Sequence, residues 1–134
     1  MKTREALVAL AHIVEPGDAV LGALVEEVGP ESVVESIESG ALALRNASAL
    51  RARLAVFDPV QAGRSAVDQG VMIVDRTHES WPRRLNDLGC RRPYAVWVRG
   101  ELDRLAALDH SVAIVGARAS TGYGEAVCRA WCPQ

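Results

Sequence analysis

No uninterrupted apolar stretch of this 134-residue chain reaches the ~18 residues that a membrane crossing needs. The opening MKTREALVAL passes into a helical pattern without a signal peptide's cleavage site, so a cytoplasmic protein with no membrane partner is expected. Low-complexity tracts are missing too. With 49% apolar and 24% charged residues, the composition is that of a globular, soluble chain of one domain or slightly more. Cysteine is sparse, and Cys90, Cys128 and Cys132 form no framework, which suits reduced thiols. Cys128 and Cys132 share an expected helix, but no second close pair completes a tetrahedral metal site. They read as helix-packing residues, and neither a metal nor another cofactor is expected. His12, His78 and His110 lack a neighbouring Ser or Cys and carboxylate in a recognisable arrangement, so no catalytic residue and no enzyme activity is expected.

Lysine is almost absent as well: fourteen arginines stand against Lys2. The formal net charge is only −2, yet it is unevenly spread. Residues 1–40 carry eight acids against Lys2 and Arg4, whereas Arg76 to Arg99 hold six arginines against Glu79 and Asp87. A locally basic middle attracts phosphate backbones whatever the overall balance, because counterion release depends on local charge. The bland alternative is solvated arginine on an ordinary surface.

Helical periodicity dominates the first half. Leu7, Leu10, Ala11 and Val14 recur at helical spacing until Glu15-Pro16-Gly17 breaks the pattern. Asp18 reads as the N-cap of a second helix with Leu21, Leu24, Val25 and Val28 along one stripe. Glu31 to Ser39 forms a third, with Gly40 as its C-cap. Further helices are expected over about 47–56 and 59–69. The segment LVEEVGPESVVESI has the outline of a helical hairpin, a shape that elsewhere offers turn amides to a DNA phosphate. Here Glu26, Glu27, Glu31 and Glu35 surround the turn, so it reads as a helical interaction or spacer domain instead.

Near Gly70 the character changes. VMIV (71–74), YAVWV (94–98) and VAIV (112–115) are short runs of strand-forming residues bounded by turn or polar residues. A helical turn is expected at 102–108 and a helix at 122–131. The expected fold class is therefore α/β, with an all-helical N-terminal domain over 1–69 and the first strands and one helix of an incomplete Rossmann-like domain over 70–134. The turn in VAIVGARASTGYG (112–124) fits neither the GxGxxG dinucleotide fingerprint nor the Gly-Lys-Ser/Thr phosphate loop. General physics still favours an anion there. Gly116 lets a ligand approach the backbone, the following helix presents free amides, Arg118 supplies a charged fork, and Ser120 and Thr121 supply hydroxyls. An ordinary strand-to-helix turn, with Thr121 as its cap, is the equal alternative on these residues alone.

Three segments, WPRRLNDL (81–88), RRPYAVWVRGELDRL (91–105) and VAIVGARASTGYG (112–124), follow one another with short spacers. In that order they resemble the DprA/Smf family of DNA-processing proteins. Members typically show an aromatic-Pro-x-x-Leu element, a Pro followed by an apolar strand ending in Gly, and a strand opening into Val-Gly-x-Arg with Ser and Tyr-Gly behind. Trp81 stands where Tyr is usual, Pro93 and Gly100 bracket the middle strand, and Thr121 takes the place of the usual Ser. Val115, Gly116, Arg118, Tyr123 and Gly124 match the last element. The helical residues 5–56 also resemble the N-terminal helical domain of many members.

The resemblance implies a non-catalytic, single-stranded DNA-binding protein that passes its strand to a RecA-type recombinase, notably in natural transformation. On that footing the nucleic-acid site comprises Gly116, Arg118, Ser120, Thr121, Tyr123 and Gly124. Arg118 pairs with a backbone phosphate, and Tyr123 either stacks on a base or, as is commoner one residue before a packing glycine, joins the core. Members are usually much longer, and their dimerising and recombinase-contacting surfaces fall past Gln134, so a shortened fragment with weakened binding is expected, the homodimer belonging to the full-length form. Two other classes stay open: a fragment of a nucleotide-binding Rossmann-like enzyme, and a small helical protein-interaction module.

Overall fold

The computed structural model describes residues 1–111, 119 and 121–131. Helices α1 (Thr3–Ile13), α2 (Ala19–Val28), α3 (Pro30–Ser39), α4 (Ala47–Ala55) and α5 (Pro59–Asp68) precede the first strand. Their limits follow from capping chemistry. The Asp18 carboxylate accepts the amides of Val20 and Leu21, both at 3.0 Å, and Asp58 accepts those of Val60 and Gln61 at 2.8 and 3.1 Å. Each thereby satisfies amides that the first turn leaves without acceptors. Pro30 and Pro59 open α3 and α5, where a missing N–H costs nothing. Gly40 closes α3 in the left-handed region, at φ 78°.

The apolar stripes meet in one core. Leu7, Leu10 and Ile13 of α1 pack with Leu21 and Val25 of α2, Val33, Val34 and Ile37 of α3, and Leu50 and Leu54 of α4. Burying each large aliphatic side chain contributes roughly 1.5–3 kcal/mol. Val28 departs from the expected stripe: it ends α2 and remains exposed, because the chain turns away at Gly29.

Strands β1 (Met72–Asp75) and β2 (Ala95–Val98) pair antiparallel, with Met72 opposite Val98 and Asp75 opposite Ala95. The small sheet lies against α1, and β1 also meets α5. Tyr94, just before β2, enters the helical core. Between the strands the chain runs through 3-10 turns at Arg83–Arg91, an element the sequence did not announce. Gly89 breaks that run at φ 57°, ψ −131°. Here α2 approaches so closely that a Cβ on Gly22 would lie 1.8 Å from the Cys90 carbonyl oxygen.

A second 3-10 run spans Leu102–His110, and α6 spans Gly122–Trp131, matching the helical turn and the helix expected there. The expected third strand at 112–115 lies outside the described residues. The structure is thus mixed α/β, mostly helical with a two-stranded sheet among the described residues, and fits a partial Rossmann-like domain. No described helix is long and apolar enough to cross a membrane. The packing role expected for Cys128 is corrected: α6 buries none of its residues, and that thiol is exposed.

Candidate nucleic-acid interface

Of the six residues expected to contact DNA, Gly116, Arg118 and Ser120 lie outside the described residues. Thr121, Tyr123 and Gly124 are described, and they stand together at the start of α6. Thr121 is the helix cap. Its Oγ1 accepts the Gly124 amide at 3.2 Å, and its carbonyl accepts the Glu125 amide at 3.0 Å. An accepting hydroxyl still carries its own hydrogen, so capping leaves one donor to offer outward. Helix geometry leaves the Gly122 and Tyr123 amides without intrahelical acceptors, and their partial positive charge favours an anion. Glu125 works against this: its carboxylate sits in the same first turn, 3.7 Å from Arg129 one turn on.

Tyr123 corrects the core expectation. Its side chain is 81% exposed, because the residue lies in the first turn of a helix that buries nothing. An exposed phenol beside uncapped amides presents a flat face next to an anion-favouring end, an arrangement that suits stacking next to a phosphate.

The basic middle is partly consumed by the fold. Arg76 donates from Nη1 to Glu26 at 2.7 Å, from Nε to the Pro93 carbonyl at 2.9 Å and from Nη2 to the Arg92 carbonyl at 2.7 Å. Arg92 grips both oxygens of the same carboxylate, at 2.8 and 2.6 Å. The Arg76 guanidinium also lies 4.6 Å above the centre of the Tyr94 ring. Burial, followed by the like charge of Arg92, holds Arg76 below the ordinary guanidinium range, while Glu26 pulls the other way. Burial likewise pushes the Tyr94 phenol up to about 12.

Glu26 was read as a charge repelling DNA from an acidic hairpin. Instead it neutralises two of the arginines counted as a phosphate patch. No local pattern could reveal this, since 50 and 66 residues separate the partners. Arg83, Arg84, Arg91 and Arg99 remain on the surface; Arg84 lies 3.8 Å from Asp87, and Arg99 reaches the Gln69 carbonyl at 3.4 Å.

The aromatic-Pro motif is structural as well. Trp81 is buried and donates from Nε1 to the Asn86 side-chain oxygen at 3.1 Å, which also accepts Arg92 at 3.2 Å. Asp75, at the end of β1, is 1% exposed and accepts the Thr77 amide and hydroxyl at 2.8 and 2.6 Å, with Arg4 at 3.5 Å. These bonds fix the turn that leads from β1 to Trp81.

Through Glu26, the paired arginines Arg76 and Arg92 hold the connection between β1 and β2 to helix α2. The family model described as DNA recombination-mediator protein A matches residues 72–134, so the chain from β1 onward is similar to that family. Comparison with curated proteins and with solved structures gives no match.

Proposed function

We propose that the chain binds single-stranded DNA at the start of α6 and serves DNA processing, passing its strand to a RecA-type recombinase during DNA uptake. The observation that carries this reading is the family match over 72–134, which spans the turn, Thr121 and the exposed Tyr123. The helix start supports it chemically, with a capping hydroxyl that can still donate, first-turn amides and an accessible ring side by side. In this reading Arg118 supplies the phosphate contact, Gly116 lets the strand come close, and Ser120 or Thr121 donates a hydrogen bond. The role is one of binding and transfer, without catalysis, in the cytoplasm.

The test is binding of a labelled single-stranded oligonucleotide across a salt series, with duplex of equal length as comparison. Affinity for the single strand should fall linearly on a log–log plot, and Arg118→Ala should reduce both the affinity and the slope. Equal binding by the wild-type protein and Arg118→Ala, or a flat salt response, overturns the reading.

A further inference from the structure

A groove of about 470 Å³ lies between α1, α5 and β2, and no described residue of α6 lines it. Three rings converge on it. The His12 ring is centred 4.8 Å from Phe57 in a tilted contact and 5.0 Å from Trp97 in an edge-on contact. Trp97 stays 45% exposed, an unusual cost for so large an apolar ring.

The polar lining combines an imidazole and a carboxylate with amide and hydroxyl groups. His12 Nδ1 donates to the Val8 carbonyl at 2.8 Å, so the neutral ring keeps Nε2 as an acceptor. Asp58 spends Oδ1 on the α5 cap, and its Oδ2 has no partner among the described residues. Gln61, Ser65 and Gln69 complete the wall with amide and hydroxyl groups. Among the described residues the lining contains no Arg or Lys, which disfavours a phosphate inside the groove. Arg99 stands at its edge, donating to the carbonyl of Gln69 at 3.4 Å.

From this juxtaposition of an exposed indole, hydrogen-bond acceptors and a cation at the rim, we propose that the groove binds a nucleobase, stacked on Trp97, with the attached phosphate outside near Arg99. A planar base satisfies the ring face, and its edge meets His12, Asp58 and the two glutamines. Because His12 Nε2 and Asp58 Oδ2 can only accept, bases with an exocyclic amine, such as adenine and cytosine, fit better than thymine. The base can come from a free nucleotide or from a single strand. The strand source rests on the function proposed above; the base pocket itself does not.

The experiment uses the full chain carrying Trp131→Phe, so that Trp97 is the exposed indole reporter while Trp81 stays buried. Fluorescence is titrated with dAMP, a dA oligonucleotide, a dT oligonucleotide and an abasic oligonucleotide of equal length. The dA oligonucleotide should quench Trp97 and bind at least ten-fold tighter than the abasic one, with dT between them. Ser65→Phe, an exposed position where a ring would fill the groove, should abolish that preference without changing the thermal unfolding midpoint. Trp97→Phe should keep most of the affinity and Trp97→Ala should lose it. Quenching by dAMP without oligonucleotide binding supports the pocket and overturns the strand reading. Equal, salt-sensitive binding of dA and abasic strands, or unchanged binding by Ser65→Phe, overturns the pocket and leaves the strand reading intact. No response to any of the four ligands overturns both.

Discussion

Gly22 and the Cys90 carbonyl are in direct apposition: a methyl group at residue 22 would fall 1.8 Å from that oxygen. Helix α2 can press against the Arg83–Arg91 segment only because residue 22 has no side chain. Gly22→Ala gains about 1 kcal/mol in helix propensity and backbone entropy, but forces apart two backbones that have no flexible atom to move. A net loss of about 1–3 kcal/mol is expected, read as a lower urea midpoint with an unchanged m-value. An equal or higher midpoint would mean that the two segments do not touch in solution.

Glu26 joins Arg76 and Arg92, whose side chains are 9% and 24% exposed, while its own is 43% exposed. Removing one member of a buried ion pair costs several kcal/mol, but water reaches this carboxylate and lessens the penalty. Glu26→Gln should therefore cost about 2 kcal/mol. A double-mutant cycle with Arg92→Gln should give a coupling of about 1 kcal/mol or more, and additive losses would show that the pair does not interact.

The Tyr94 phenol supplies a pH dependence with a definite sign. Burial, the first cause, raises its folded-state value to about 12 from the ordinary 10.0, so between those values the unfolded chain holds fewer protons than the folded one. Stability is then fully present below pH 10 and declines as pH rises toward 12. Tyr94→Phe removes this component. Denaturant midpoints at pH 9 and pH 11 should differ less for the variant than for the wild type, and the same alkaline decline in both proteins would exclude Tyr94 as its source.

Thr121 can be separated into cap and contact. Thr121→Ala should cost about 1 kcal/mol of local helix stability, whereas Thr121→Asp should keep the cap. If the helix start also meets phosphate, Thr121→Asp must weaken single-strand binding despite intact helicity, and Thr121→Ser must preserve both. Circular dichroism and oligonucleotide affinity measured on the same samples decide it; normal DNA affinity in Thr121→Asp would leave Thr121 as a cap alone.

Local chemistry explains why much of the fold was readable from the chain. Asp18 before an apolar stripe, Gly40 after one, and Pro59 opening another are decisions made within a few residues, and the helices lie where those signals put them. Strands β1 and β2 begin one residue later than their apolar runs begin, a shift at the level of end fraying. Thr121 as a cap was legible for the same reason. The surroundings of Tyr123 were not, because the glycine that follows it suggests close packing while exposure depends on which element the helix meets.

By itself, then, the sequence determined the order of the described helices and strands, the caps that bound them and the family likeness of residues 72–134. Tertiary structure alone decided the fate of the charges: that Glu26 would cross 50 and 66 residues to neutralise Arg76 and Arg92, and that His12, Phe57 and Trp97 would gather around one groove. Hydrophobic period and capping act over one or two turns and are written in the local chain, whereas an ion pair or an aromatic cluster forms between segments that only folding brings together.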